Sequence, residues 1–487
     1  MKRFFLLSVS AFCSISAIAG GLLTNSNQSI NYERYPAREA SIGVDGVYTN
    51  PAGVAFMEDG FHFNFNNQTA IQDRVTTTTY APFAMGLKNH GDSTVERVGE
   101  AHSYVIPSLF AAYNKNTWSF QLGFHVNGGG GKLTYDDGLA SLEKSIAVIP
   151  GALASFGANA YDADIYMKGR QYYFGLTAGV AKRLNDNLAV SLGARVLYGN
   201  HNYSGYLRNV QIRNAEGMAP LSSYVEKITA AAQQAAAAAE QYKAAGNAEA
   251  AAQYAAQAEK LKASAQQLSV PANGIEIDCD QTGFGIAPII GIDYKIGKLN
   301  LAAKYEFETH MMLENKAHNS ATAQYVPALA KFKDGEEVAE NTPAMLTVGA
   351  QYEFLPKLRA GLGFHYYFDK QAEQFGDRQK LLDGNSYEFL LGVEYDINDK
   401  LQVSTGGWTS TFGLTDDYMN DLSFNTNSWS WGLGLGYKVS SKVQLNVAYF
   451  HSFYDTYKKE SVESGIHCLD EFTRRNNVFG IGINVDL

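Results

Sequence analysis

From residue 60 onward the chain alternates apolar and polar positions with a period of two. The segments are about ten residues long, the length a tilted strand needs to cross a bilayer. Fourteen of them begin near Phe61, Tyr104, Thr117, Arg170, Asn187, Gln281, Lys298, Pro343, Lys357, Asn385, Asp399, Thr426, Ser441 and Asn476. In the fifth, Leu188, Val190, Leu192, Ala194, Val196 and Tyr198 share one face, and Ala189, Ser191, Gly193 and Arg195 the other. Tight turns such as Asn185-Asp186-Asn187, Asn398-Asp399 and Ser440-Ser441 join the segments in pairs, and the intervening connections are long. An even strand number with short turns on one side and long loops on the other is the arrangement of a bacterial outer-membrane barrel whose termini lie in the periplasm. Trp118, Tyr198, Tyr294, Tyr352, Tyr395 and Tyr437 stand where interfacial girdles belong, and the last segment runs through Phe479, Ile481, Ile483 and Val485 to Leu487. The pattern predicts an all-β chain: a 14-stranded antiparallel transmembrane β-barrel over residues 61–487.

Composition narrows the alternatives. The 487 residues are 46% hydrophobic and 13% aromatic, too apolar for disorder, while only 18% are charged against roughly 25% in an average soluble domain. A net charge of -10 without a Lys/Arg cluster sets nucleic acid aside. Lys2 and Arg3 followed by the apolar run from Phe4 to Ile18 and by Ala17-Ile18-Ala19 read as a signal peptide over residues 1–19, which carries Cys13 away with it. Cys279 and Cys468 remain, as a disulfide or as two thiols.

Two stretches do not alternate. Residues 20–60, rich in Gly, Asn and Pro, are expected to form an N-terminal plug, or hatch, because fourteen strands enclose more space than wall side chains fill. Residues 221–268 are dominated by Ala, Gln, Glu and Lys and split by Gly246-Asn247, so they predict a helical hairpin in the outward loop between strands five and six. It serves either as a shield or as a flap whose Val225, Ile228, Tyr242, Tyr254, Leu261 and Leu268 touch an apolar ligand.

No catalytic motif is present. There is no G-x-S-x-G elbow and no H-E-x-x-H helix, and Gly131-Lys132 is followed by Leu133 where a phosphate loop needs Ser or Thr. His125 and His365 face inward on different strands without metal-ligand spacing. Neither enzyme activity, metal nor cofactor is expected. Inward-facing Arg195, Lys304 and Arg359, with His365 behind them, are candidates to pair with a ligand carboxylate. The alternative is that each pairs with an inward acid such as Glu306, Glu353, Glu388 or Glu394.

The run from Ala40 to Gly53, with its core Asn50-Pro51-Ala52-Gly53, resembles the N-terminal signature of the long-chain fatty-acid outer-membrane transporter family, also named for its toluene-uptake members. Ile106-Pro107-Ser108, Gly128-Gly129-Gly130-Gly131 and Gly193-Ala194-Arg195 extend the likeness. The resemblance implies a monomeric barrel with a hatch, a third strand kinked at Gly128–Gly131 so that ligand leaves sideways into membrane lipid, and an apolar groove between the loops after strands five and seven. The glycine run read alone is equally a flexible loop end. The expected function is passive, hatch-gated passage of a hydrophobic ligand, above all a fatty acid, across a Gram-negative outer membrane, with aromatic hydrocarbons or haem as alternative ligands. The Ala-rich hairpin is longer and more polar than the resemblance implies, and Leu487 stands where the outer-membrane assembly machinery reads an aromatic. A surface-binding barrel that merely displays the hairpin is the rival. Deleting residues 221–268 separates the two: unchanged uptake with lost surface binding would favour the display protein.

Overall fold

The computed structural model describes residues 21–487, so the expected signal peptide and Cys13 lie outside the described residues. Fourteen strands form the wall: β1 (Gly60–Tyr80), β2 (Thr94–Lys115), β3 (Trp118–Tyr135), β4 (Ala160–Arg183), β5 (Leu188–Asn214), β6 (Ile275–Ile296), β7 (Leu299–Glu306), β8 (Met345–Leu355), β9 (Leu358–Tyr367), β10 (Ser386–Asp396), β11 (Leu401–Thr411), β12 (Ser428–Lys438), β13 (Val443–Tyr454) and β14 (Ile466–Asp486). Helices α1 (Ile30–Arg34) and α2 (Gly46–Thr49) precede the wall, α3 (Ala140–Ala147) lies in the second long loop, and α4 (Leu221–Ala244) and α5 (Ala248–Asn273) form the third. Every wall strand is antiparallel to its neighbours, and β1 closes on β14 from His62↔Asp486 to Tyr80↔Cys468, so the ring is closed. Four short strands, Gly217–Pro220, Met312–Ala317, Glu337–Ala339 and Tyr457–Glu463, extend the wall at the long-loop end. Strands β2, β4, β6 and β14 start at Thr94, Ala160, Ile275 and Ile466, ahead of the alternation that begins near Tyr104, Arg170, Gln281 and Asn476. These extensions stand beyond the apolar belt and are flanked by loops, so nothing there enforces a greasy outer face.

The outer surface carries Phe120, Leu192, Phe284, Leu362, Phe389, Trp431 and Ile481, all exposed. A closed belt of this kind is stable only against hydrocarbon. Trp118, Tyr294, Tyr352, Tyr395 and Tyr437 are likewise exposed at the short-turn end, and Tyr198 lies against Phe284 with ring centroids 4.7 Å apart on the same surface.

At the other end the loops cover the mouth. In α4, Ala232, Ala235 and Ala239 are buried, as are Ala251, Ala258 and Ala265 in α5, so two alanine faces let the helices approach closely. Gly246, at φ 75°, turns the chain, Asn247 caps α5 by accepting from the Ala250 N–H, and Tyr242 stacks on Tyr254 at the tip. Of the residues expected to greet a ligand, Ile228 and Leu268 are instead buried at the hairpin base with Leu221 and Tyr224, in an apolar cluster shared with Phe83, Ile146, Leu329 and Phe332 from other loops; Val225 and Leu261 pack against it. Cys279 and Cys468 belong to the same cluster and are both free thiols.

The N-terminal segment fills the lumen, and its path is set by glycine. Residues 30–40 run along the inner wall from β14 to β8 over inward glycines that leave no room for a side chain. A Cβ on Gly482 would meet Ile30 at 3.1 Å, one on Gly434 the Arg34 side chain at 2.6 Å, and one on Gly406 the Pro36 ring at 2.6 Å. Likewise Gly392 abuts the Tyr35 ring at 2.8 Å, Gly361 the Ala37 carbonyl at 2.9 Å and Gly349 the Glu39 side chain at 2.6 Å. Of the glycines spaced by two in β12, Gly432-Leu433-Gly434-Leu435-Gly436, the first two are part of this track, whereas Gly436 faces Gln402, Gln444 and Asn446 of the wall. Overfilling it has a defined cost: Gly392→Leu should lower stability by about 1–3 kcal/mol in urea unfolding, while Leu391→Val on the outer face of the same strand should leave the midpoint almost unchanged.

Candidate functional site

Three features meet inside the wall. The first is the plug anchor. The Asn50 amide donates to Asp293 at 2.6 Å and to the Ser41 carbonyl at 3.3 Å, and its carbonyl oxygen accepts the Gly53 N–H at 3.1 Å. Asp293 also accepts from Asn300 at 2.9 Å, and the Pro51 carbonyl accepts from Gln121 of β3 at 2.7 Å. Ala52 is buried with Ala55, Ala181 and Ala189. The signature residues Asn50–Gly53 thus fasten the plug to β3, β6 and the neighbouring wall.

The second is a buried cationic centre. Arg195 and Lys304 both stand over the ring of Tyr48, at 4.9 and 4.5 Å from its centroid. Arg195 donates to Glu306, to Asn127 at 2.8 Å and to Thr177 at 3.0 Å; Lys304 donates to the Tyr48 carbonyl at 2.8 Å and lies 3.9 Å from Glu306. Two cations therefore share one carboxylate. Arg195 Nη2 and both ring nitrogens of His125 have no hydrogen-bond partner among the described residues, and His125 packs edge-on against Tyr48 at 4.9 Å. The third basic candidate stands elsewhere: Arg359 pairs with Glu394 and Asp396 toward the short-turn end, beside Arg34, which bonds Glu394, Gln402 and Ser404. His365 lies between Glu39 of the plug at 2.7 Å and Glu388 of the wall at 2.9 Å. Glu353 is exposed.

The third is a break in the wall. β3 pairs with β2 from Lys115↔Trp118 to Leu109↔Phe124 and then only at Glu100↔Thr134. Within the interval β3 keeps its ladder to β4 but bulges twice, between Val126 and Gly128 and between Gly129 and Gly131, with Gly129 at φ 74° and Gly131 at φ 102°. All four glycines, Gly128, Gly129, Gly130 and Gly131, fall in this stretch. A Cβ on Gly128 would strike the Leu23 carbonyl. The plug supplies what β2 does not: the Asn25 N–H donates to the Asn127 carbonyl at 2.8 Å, its side-chain amide to the Gly129 carbonyl at 2.9 Å, and Gln28 to the Val126 carbonyl at 3.0 Å. From the β2 side Ser108 donates to the Gln28 carbonyl at 2.7 Å. Outside the break Tyr104 and Val105 are 66% and 73% exposed; inside it Ile106 and Val126 join Tyr32, Trp408 and Phe450 in an apolar cluster.

At the loop end, Glu463, Cys468 and Asp470 form a trio of metal-ligand spacing, but the Lys144 ammonium of α3 occupies it, 3.0 Å from Glu463 and 2.7 Å from Asp470. Burial works against that charge, yet the two carboxylates outweigh it and hold the lysine above its usual range. Sequence reasoning missed Tyr48, Asn25, Asn127 and Asp293. The inward faces of β3 and β6 flag Asn127 and Asp293 through alternation; Tyr48 and Asn25 sit in a segment with no period to read.

The anchor gives a sharp expectation. Asn50→Ala leaves buried Asp293 short of a donor and should cost about 1–3 kcal/mol in urea unfolding. Asn50→Asp sets two carboxylates against each other and should cost more at neutral pH, with part of the loss recovered on acidification.

A family model described as "Putative MetA-pathway of phenol degradation" matches residues 246–466. No curated protein sequence matches the chain. Among solved structures, a Pseudomonas aeruginosa FadL homologue superposes with a TM-score of 0.64 at 13% identity, covering 96% of this chain and 100% of that one. The P. putida toluene transporter TodX gives 0.55 at 13% identity, with 91% and 94% covered, and the Ralstonia pickettii toluene transporter TbuX gives 0.52 at 14%, with 94% and 99% covered. At these identities the likeness is one of architecture, and it runs the length of the described chain. The protein has the barrel-and-plug fold of the long-chain fatty-acid outer-membrane transporter family, which its plug segment resembles in sequence.

Proposed function

We propose that the protein is a passive channel for hydrophobic small molecules in a Gram-negative outer membrane, and that long-chain fatty acids are its principal ligands. The observation that carries the transport reading is the break between β2 and β3, where the wall is completed by Asn25 and Gln28 of the plug instead of by strand pairing. A ligand that displaces those few hydrogen bonds leaves sideways into lipid and avoids the polar lumen below. Burial of the alkyl chain contributes about 0.8 kcal/mol per methylene. The carboxylate end is matched by the adjacent centre, where Arg195 and Lys304 outnumber Glu306 and Arg195 Nη2 is available as a charge-assisted donor. Asn50, Pro51, Ala52 and Gly53 hold the plug while its first residues move, and Gly128 to Gly131 let β3 bend away from β2. Arg359, engaged with Glu394 and Asp396, stays in the wall.

Aromatic-hydrocarbon uptake is the second reading, favoured by the two toluene transporters of like fold and by the Tyr48, Phe110 and His125 rings at the centre. The two readings divide on charge. With surface levels matched, Arg195→Gln combined with Lys304→Met should lower uptake of labelled oleate at least tenfold and leave labelled toluene uptake within a factor of two. Equal loss of both, or protein-dependent uptake of toluene but not of oleate, would reject the fatty-acid assignment. Haem is the ligand to assay next.

A further inference from the structure

Beside the wall break the outer surface carries a group of cations without counter-charges. Past its two bulges β3 pairs with β4 through Lys132↔Arg170 and Thr134↔Lys168. All four side chains face outward, because the alternate positions Leu133, Tyr135, Gly169 and Met167 are buried. Directly opposed side chains on antiparallel strands stand about 5 Å apart and diagonal ones about 7 Å, so three basic heads converge on one place. Arg170 Nη2 donates to Asn200 of β5 at 3.1 Å, and its Nε is buried without a hydrogen-bond partner. Other cations at the long-loop end are matched: Arg208 of β5 lies 3.6 Å from Glu276, and Lys458 lies 2.6 Å from Glu471. Among the described residues Lys132, Lys168 and Arg170 form no such pair, even though Glu100 of β2 stands opposite Thr134.

Toward the bilayer the same two strands turn aromatic and then aliphatic. Tyr172 stacks on Phe174 with centroids 5.3 Å apart, and Phe174 on Phe124 at 6.3 Å; farther along, Leu176, Leu122 and Phe120 are exposed. The apolar alternation of β4 begins near Arg170, so the three cations stand at the polar edge of the belt, at headgroup level. On β3 the outward side chains stop at Phe124 and resume at Lys132. Between them Val126 is buried with Tyr32 and Trp408, Asn127 accepts from Arg195, and four glycines follow. A strip of bare backbone is left on the outer face, with Tyr172 on one side and, across the break, exposed Tyr104 and Val105 on the other.

This column of cations, rings and hydrocarbon is complementary to an amphiphile with an anionic head and acyl chains. Clustered basic side chains at a membrane surface recognise anionic lipid headgroups, and arginine beside lysine offers a planar fork and point charges to a phosphate. A free phosphate ion would gain the charges but nothing from the rings and the bare strip. The flank of the cluster suits a sugar: Asn202 and Ser204 of β5 stand opposite Arg170 and Lys168, and the Tyr166 and Tyr206 rings stack at 5.6 Å just above. We propose that Lys132, Lys168 and Arg170 hold the phosphate of a phosphorylated glycolipid of the outer leaflet, with one of its acyl chains along the bare strip of β3. The inference rests on the outer-membrane placement above and not on which ligand is carried. A lipid seated there lies against the break, so a departing ligand meets a bound lipid before it meets the bulk bilayer.

The test is native mass spectrometry of the purified full chain in detergent, titrated with diphosphoryl lipid A, with the same lipid stripped of both phosphates, and with phosphatidylglycerol. Folding of each variant is verified by heat-modifiable gel mobility. The wild type should bind diphosphoryl lipid A at least tenfold more tightly than either of the other lipids. Lys132→Gln, Lys168→Gln and Arg170→Gln combined should lower that affinity at least tenfold, whereas Arg208→Gln, which removes an ion-paired cation from the same outer face, should change it less than twofold. Equal affinity of the wild type and the triple variant, or of the phosphorylated and stripped lipids, would overturn the site. Equal affinity for phosphatidylglycerol would overturn the glycolipid as its occupant. A wild-type chain that sediments with the inner membrane on a sucrose gradient would instead overturn the placement on which the site rests.

Discussion

A closed ring of fourteen strands encloses a space that its own side chains cannot fill, and in a membrane that space must be neither leaky nor full of unsatisfied polar groups. The rest of the structure answers this constraint. The plug brings Arg34, Arg38, Glu39 and Asn50 into the lumen, and each finds a partner: Arg34 with Glu394, Arg38 with Asp45 of the plug itself, Glu39 with His365, and Asn50 with Asp293. Inward polarity of the wall strands and polarity of the plug are two halves of one hydrogen-bonded interior. The apolar exterior is the separate requirement set by lipid.

The interior is not uniformly settled. Toward β8 to β14 the plug lies in its glycine track, and Arg34 and Glu39 are matched by Glu394 and His365, although Glu33, buried against Gly432 and Gly480, has no ion-pair partner among the described residues. Toward β2 to β7 the match loosens: two cations meet one acid, His125 has no hydrogen-bond partner among the described residues, and a strand ladder is interrupted. The candidate functional features therefore share one sector of the barrel. The sequence order that produces this is economical, because β3 supplies both the bulged edge and Asn127, whose side chain accepts from Arg195 and whose carbonyl holds Asn25.

Strand number, face assignment and pairing by short turns were legible in the chain because lipid on one side and polar lumen on the other impose a strict period of two. Arg195, Lys304 and His365 could be placed on the inner face for the same reason. Which of them would be spent on neighbours could not be read, since that depends on register: Arg359 lies opposite Glu394 only because β9 and β10 align there. The early starts of β2, β4, β6 and β14 escaped because alternation stops where lipid stops. The plug was recognisable as a filler and by its Asn50–Gly53 signature, yet its internal contacts were hidden, since Tyr48 and Asn25 follow no period. In the hairpin, helix propensity located both helices, but whether Ile228 and Leu268 faced a ligand or a packed base was a matter of tertiary contact alone.

The glycine track also fixes the timing of assembly. Residues 30–40 precede the wall in the chain, but their seats lie on β8 to β14, more than three hundred positions later; Glu39 and His365 are separated by 326 residues and Arg34 and Gln402 by 368. Contacts of such sequence separation form late because the entropy of closing the loop must be met before they return anything. The seats of residues 30–40 are therefore complete only when the final strands have closed the ring. An incomplete barrel lacking its C-terminal strands would still offer β3 and β6 to Asn25, Gln28 and Asn50 but no seats for residues 30–40, which makes the seating of that stretch a readout of a completed wall.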